Sequence, residues 1–337
     1  MGGNAVEQRK TEHLQIAQQQ HVEFGTPGFE RFRLPHKALP EIDYAEIDTS
    51  TVFLGKKIAA PYLISGMTGG IPIAEKINKN LAAAAQKKNI AMGVGSQRKA
   101  ILDPSLSYTY QVRSVAPSIP LLANMGVVQF NYGFGVKEAQ IAVEMIDADA
   151  LALHMNPLQE AIQPEGDRNF KGLLKKIERL SSKLPVPLIA KEIGNGISEE
   201  VALQLVKSGV RIVDTAGSGG TSWATIEARR AQRIELGETF AIWGIPTAES
   251  IIQCKKVPHL TIIGSGGIRD GIMAAKALIL GADMVGIALP FLKHAAISSE
   301  QVESYLDLLM TELRIVMFCC GVKTIKELKK IKLEESA

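Results

Sequence analysis

From residue 61 onward, short apolar runs alternate with stretches of helical hydrophobic period. Eight runs read as strands: Pro61–Ser65, Ile90–Val94, Pro120–Ala123, Ala150–His154, Pro187–Lys191, Ile212–Thr215, Leu260–Gly264 and Met284–Ala288. Beside them lie helix-compatible segments at Ile73–Lys87, Lys137–Ile146, Gly172–Leu180, Ser198–Ser208, Thr247–Lys255 and Gly271–Leu280. Strand–helix alternation implies a parallel sheet with helical crossovers. Eight such units over about 230 residues fit an α/β fold of the (β/α)8 TIM-barrel type. The competing architecture is a doubly wound sheet, but no GxGxxG turn follows the first strand to support it.

The pattern divides the chain into residues 1–58, an N-terminal extension; residues 59–299, the barrel; and residues 300–337, a C-terminal helical segment of the same domain. Within the extension, RFRLPHKALPEIDYAEIDTSTVFLGKKI reads as an extended cap or bottom plug. The tail reads as a helix pair closing the barrel end, apolar-rich over Val302–Phe318, with the charge run Lys326–Lys332 as a solvated helix face.

Composition adds limits. The 337 residues are 46% hydrophobic and 22% charged, which describes an ordinary globular chain with ample core material. A net charge of +3, without basic runs interleaved with aromatics, argues against nucleic acid and leaves anionic small molecules open. Cys254, Cys319 and Cys320 give neither a disulfide framework nor metal-ligand spacing, and they suit a reducing cytosol. The polar start MGGNAVEQRKTEHLQ lacks a signal-peptide core, and no apolar run is long enough to span a bilayer. A cytoplasmic protein without a membrane partner is expected.

The chemistry gathers where strands end, the face on which barrels of this type carry their sites. The densest packet is DALALHMNPLQE at 149–160, where an apolar strand runs into His154, Asn156, Gln159 and Glu160. Burying such groups unpaired costs about 1–3 kcal/mol each. Either they meet a ligand, or Pro157 opens a helix whose first turn is solvated. The other strands end in SGMTGG, GSQR, NMG, KEIG, TAGSGGTSW, SGGIRD and ALP. One polar loop is uninformative, but eight in succession argue for a ligand that touches most of the barrel mouth. Gly266 and Gly267, with the helix after them, suit a phosphate in the place these barrels usually hold one; a plain tight turn is the other reading. Lys191 is either a snorkelling rim lysine or a fixed cation against an electron-rich ring. Arg98 is suited to a diphosphate through its bidentate guanidinium. Arg9, Lys10 and His13, alone, read as one solvated helix face.

Together, RKTEH at 9–13, MTGG at 67–70, GSQR at 95–98, NMG at 124–126, HMNPLQE at 154–160, KEIG at 191–194, AGSGGTSW at 216–223, SGGIR at 265–269 and GAD–GIAL at 281–289 resemble the type 2 isopentenyl-diphosphate isomerase family. The combination of HxNxxQE, RKxxH and GSQR is specific, whereas SGGIR recurs in other flavin barrels. Ala216 departs from the serine common in relatives, which puts one side-chain contact in doubt.

The resemblance implies an enzyme that interconverts isopentenyl and dimethylallyl diphosphate by 1,3-allylic proton transfer. It implies FMN, active when reduced, with NADPH as reductant and Mg2+ on the diphosphate. Met67, Thr68, Gly69, Ser96, Asn124 and Lys191 would meet the flavin ring and ribityl. Thr221, Gly267, Ile268, Arg269, Ala288 and Leu289 would meet its phosphate end. Arg9, Lys10, His13, Ser96, Gln97, Arg98, Asn156 and Gln159 would face the substrate, with Gln159 and His154 catalytic and Glu160 holding the metal. It also implies a homotetramer or homo-octamer.

Two other flavin or nucleotide barrels compete. An α-hydroxy-acid oxidase wants a late-barrel histidine base, but none occurs between 155 and 258. An IMP dehydrogenase wants a loop cysteine, and only Cys254 lies near, in a helix candidate. A non-catalytic flavin-binding protein would leave Arg98, Gln159 and Glu160 without work.

Overall fold

A computed structural model describes residues 2–335, with side chains from residue 8 onward. Eight strands close into a parallel barrel: β1 Tyr62–Ile64, β2 Ala91–Gly93, β3 Leu121–Gly126, β4 Ala150–His154, β5 Leu188–Lys191, β6 Ile212–Asp214, β7 Thr261–Ser265 and β8 Met284–Ile287. The ring closes through β8 and β1, with Val285 opposite Tyr62. All eight strands fall where the sequence pattern puts them.

Period-two alternation sorts the strand side chains into two cores. Leu63, Ala91, Leu122, Ala150, Ile189, Ile212, Ile263 and Met284, one from each strand, fill the barrel interior. Their alternates, such as Tyr62, Met92, Leu121, Leu151 and Val213, pack outward under the helices. The helices end where local chemistry says they should. Pro72 sits in the first turn of Pro72–Lys88, and Asn89 stops that helix at φ 51°. The Asp270 carboxylate accepts from Met273 N at the start of Gly271–Leu280.

The extension is long and irregular, and it touches both ends of the barrel. Its first helix, Gly2–Gln19, lies at the C-terminal mouth of the barrel. Residues 22–24 are then pinned to the β6 loop, with Phe24 N donating to Gly220 O and Ser222 N to Val22 O. Farther on, a hairpin of Thr51–Phe53 and Lys56–Ile58 sends Phe53 and Ile58 into the interior core. That is a plug in the barrel floor.

The tail differs from the sequence reading. Ser299–Cys320 is one long helix, but its expected partner is only Ile325–Leu328. The Lys326–Lys332 run is therefore not a solvated helix face: the helix stops at Leu328, and Lys329 leaves it to pair with Asp283. Glu334–Glu335 then pairs with Phe32–Arg33, so residues 334–335 are tied to the extension. Among the described residues no helix is long and apolar enough to cross a membrane.

Candidate active site

The C-terminal ends of the strands and the first helix enclose one cavity of about 610 Å³, within the usual size of a cofactor or ligand site. Met67 and Thr68 reach it from β1, Ser96 and Arg98 from β2, and Asn124 from β3. β4 contributes His154, Asn156, Gln159 and Glu160; β5 gives Lys191, and the β6 loop Thr221 and Trp223. Gly267 and Arg269 follow β7, Ala288 and Leu289 follow β8, and Arg9, Lys10 and His13 come from the extension.

Glycine backbones make the floor. A Cβ on Gly66 would sit 2.0 Å from Val94 O, and one on Gly95 2.5 Å from Thr68 N, so the loops after β1 and β2 meet backbone to backbone. Gly266 and Gly267 hold φ of 111° and 67°, and a Cβ on Gly220 would lie 2.4 Å from Gly267 N. Beside this bare patch begins the helix Leu289–Ile297, whose first turn leaves N–H groups without partners inside the helix. Bare backbone beside a helix N-terminus is the chemistry of a phosphate cradle. Ala216, also lining the cavity, is held at φ 34°, strained for a residue with a Cβ.

Deeper in, Lys191 Nζ lies 3.3 Å from Asp214 Oδ2 and donates to Glu192 O at 2.8 Å. It is a fixed cation and not a snorkelling one. His154 Nδ1 is 2.8 Å from Asn124 Oδ1. An amide oxygen only accepts, so the ring proton belongs on Nδ1 and Nε2 is left as an acceptor. Burial, helped by Lys191, Lys10 and Arg98, lowers the imidazole to about 3. His154 is neutral at any ordinary pH.

The polar packet after β4 is a helix start and a ligand face at once. Pro157 opens Pro157–Ile162, and from it Gln159 Nε2 donates to Glu227 Oε1 at 2.7 Å. Asn156 Nδ2 donates to Gln159 Oε1 and to Glu160 Oε1, both at 2.9 Å, leaving Asn156 Oδ1 buried without a partner. Asp167 N donates to Glu160 Oε2 at 2.7 Å. Burial, against these hydrogen bonds, raises the Glu160 carboxyl above its usual range. One buried carboxylate beside an unpaired amide oxygen suits Mg2+, which completes its shell with phosphate oxygens and water. Among the described residues no cluster of three or more acidic, histidine or cysteine side chains offers an all-protein site.

Glu227 was not singled out from the sequence. Burial alone would push its carboxyl up, but His13, Gln159 and Arg230 together hold it down to about 2. His13 Nε2 lies 3.0 Å from Glu227 Oε1, and Arg230 Nε lies 2.9 Å from Oε2. The Gln163 amide, oriented to satisfy its neighbours, donates to Glu227 Oε1 and accepts from Arg9 Nη1 at 3.0 Å. A signal did exist: Glu227 sits one turn beyond Trp223 on the helix Trp223–Arg230. Asp167, which takes Arg98 Nη1 at 2.8 Å, had no comparable mark.

One expected side-chain contact has another use in the fold. Gln97 does not face the cavity; it is fully buried, donates to Ala142 O and accepts from Asn124 N. A side chain spent on β3 and its helix cannot also reach substrate. The Gly69 carbonyl accepts from Lys10 Nζ. Ile268 is buried in the outer core and has only backbone to offer. Arg269 lines the cavity, but here it is ion-paired with Glu23. Lys10 is brought down to about 7 by burial and by Arg9, Lys99 and Arg98.

Residues 131–335 match the family described as FMN-dependent dehydrogenase. The isopentenyl-diphosphate delta-isomerase of Nostoc sp. is 50% identical over 327 residues, covering 95% of this chain and 93% of that protein. The isopentenyl-diphosphate delta-isomerase of Rickettsia bellii is 48% identical over 330 residues, covering 96% of each. Among solved structures, a flavocytochrome b2 variant with pyruvate bound superposes with a TM-score of 0.70 at 18% identity, over 96% of this chain and 82% of that one. Mandelate oxidase with (S)-2-phenylpropionate gives 0.66 at 16% identity, over 99% and 98%. At such identities these two share the fold alone.

Proposed function

The chain belongs to the type 2, FMN-dependent isopentenyl-diphosphate delta-isomerase family, and from that premise we propose how its residues carry the reaction. The activity is the interconversion of isopentenyl diphosphate and dimethylallyl diphosphate, an isomerisation without net redox change. The observation that carries the residue assignment is one cavity with two unlike halves. A bare-backbone cradle with Lys191 and Asn124 forms one half. Arg9, Arg98, His13, Gln159 and Glu160 form the other.

When bound, reduced FMN supplies the acid–base group that an unactivated alkene needs and that ordinary side chains match poorly. Lys191, fixed by Asp214, would supply positive charge to the ring. The bare backbone of Gly266 and Gly267 and the first turn of Leu289–Ile297 would hold its phosphate. Arg9 and Arg98 would take the substrate diphosphate, and Glu160 and Asn156 are the residues that would hold Mg2+ there. Gln159, oriented by Glu227 and Asn156, stands at the reacting carbons and fixes the allyl group. Neutral His154, its ring fixed by Asn124, lines the cavity beside the substrate half. NADPH serves as reductant. The free cysteines Cys254, Cys319 and Cys320 suit a cytoplasmic setting.

The test is stoichiometry. Purified protein should release FMN on heating, and with Mg2+ and NADPH it should convert isopentenyl diphosphate while consuming far less than one NADPH per product. One equivalent consumed per turnover means an ordinary oxidoreductase and overturns the reading.

A further inference from the structure

Tyr110 lies outside every strand of the barrel, just after a 3-10 turn at Pro104–Thr109, and its side chain is fully buried. Its hydroxyl donates to Ser96 O at 2.6 Å and accepts from Lys10 Nζ at 3.0 Å. Its ring fills the space that a side chain on residue 69 would need, since a Cβ on Gly69 would sit 1.9 Å from the ring. The preceding Thr109 Oγ1 accepts from Gly70 N at 2.8 Å. One short segment thus grips the loops after β1 and β2 and a lysine from the first helix.

Lysine has three ammonium protons. Those of Lys10 meet Gly69 O, Ser96 O at 3.2 Å and Tyr110 Oη, so the protein already uses all three. Lys10 therefore has no N–H left over for a diphosphate oxygen. It fastens the helix that carries Arg9 and His13. Arg9 Nε, by contrast, is buried without a hydrogen-bond partner.

We propose that Tyr110 is a positioning residue for the substrate side of the cavity, acting through Lys10 to staple the first helix onto the loops after β1 and β2. A buried tyrosine that merely satisfies its hydroxyl in the core is the plain alternative. The activity arm of the test rests on the isomerase reading; the structural arm does not.

Tyr110→Phe keeps the ring under Gly69 and removes only the hydroxyl. It should raise KM for isopentenyl diphosphate about tenfold while kcat and FMN affinity change by no more than about twofold, as loss of one charge-assisted hydrogen bond implies. Amide exchange across residues 8–19 should quicken about tenfold or more, because that helix loses an anchor. On a Lys10→Met background, Tyr110→Phe should add less than about twofold, since a residue acting through another has nothing left to act on. A full additional tenfold effect on that background overturns the proposal, as does unchanged exchange in the single variant. So does loss of FMN affinity in parallel with KM. If wild-type protein does not turn over isopentenyl diphosphate while Tyr110→Phe still frees the helix, the isomerase reading fails and the staple stands.

Discussion

Gln159 and Glu160 are adjacent on one helical turn yet hold different partners, and they should fail differently. Glu160→Gln removes the charge and keeps the shape, so the Mg2+ requirement should shift upward while FMN affinity survives. Because burial raises this carboxyl, apparent Mg2+ affinity in wild type should also weaken as pH falls towards the range where Glu160 takes up a proton. Gln159→Ala should lower kcat by about 10²-fold without changing the metal dependence, as expected for a group that orients the reacting atoms. Kinetics of both variants across a Mg2+ series distinguish the two; near-wild-type values for both would reduce the packet to a helix start. His154 gives a stability prediction. Its folded value of about 3 lies below the unfolded 6.5, so the unfolded chain binds the extra proton between those values. Stability is then present above 6.5 and lost as pH falls towards 3. A series of melting temperatures should show that decline, with a shallower slope for His154→Gln. At this scale the sequence showed which residues carry chemistry better than where each one points. Gln97 and Glu160 sit in equally polar strand-end motifs, but only the packing of β3 against its helix turns Gln97 inward.

Among elements, the regular ones were legible and the irregular ones were not. Each barrel strand announces itself as a short apolar run, and Thr247–Lys255 and Gly271–Leu280 are found with their expected bounds. Two helices that start directly from strand-end loops, Trp223–Arg230 and Leu289–Ile297, were not legible, because the glycines before Trp223 and the proline at 290 read as loop. The tail misled for a similar reason: Lys326–Lys332 has helical composition, but the pairings of Lys329 and Glu334–Glu335 decide its path. The floor hairpin is an element whose worth can be measured. Phe53 and Ile58 close the barrel interior at the end away from the cavity. Phe53→Ala should cost about 3–5 kcal/mol of stability, the usual cost of truncating a buried phenylalanine. FMN affinity should hold at temperatures where the variant stays folded. Denaturant melts and flavin titration on one preparation check both, and a drop in affinity without a drop in stability would contradict a purely structural floor.

For the whole molecule, barrel and extension form a single working unit. The extension floors the barrel with Phe53 and Ile58, crosses the β6 loop at residues 22–24, and delivers Arg9, Lys10 and His13 to the cavity. Alternation in the sequence showed the barrel, but an irregular chain has no period to read, so only motif resemblance linked RKxxH to a site in the barrel. The outer surface suggests the level above. On the helix Ser299–Cys320, Leu308 and Ile315 lie seven residues apart, about two turns, and are 51% and 48% exposed; Ile297, just before that helix, is 64% exposed. Seven-residue spacing puts Leu308 and Ile315 on one face of that helix, with Thr311 between them. We infer that a second copy of this chain covers that face, within a homotetramer or homo-octamer. Light scattering at micromolar concentration should return a multiple of the 36.4 kDa chain mass. Leu308→Glu with Ile315→Glu should lower that mass, because like charges brought together at a self-complementary face repel. A monomer in the wild type rules out the assembly, and an unchanged mass in the double variant moves the interface off this helix.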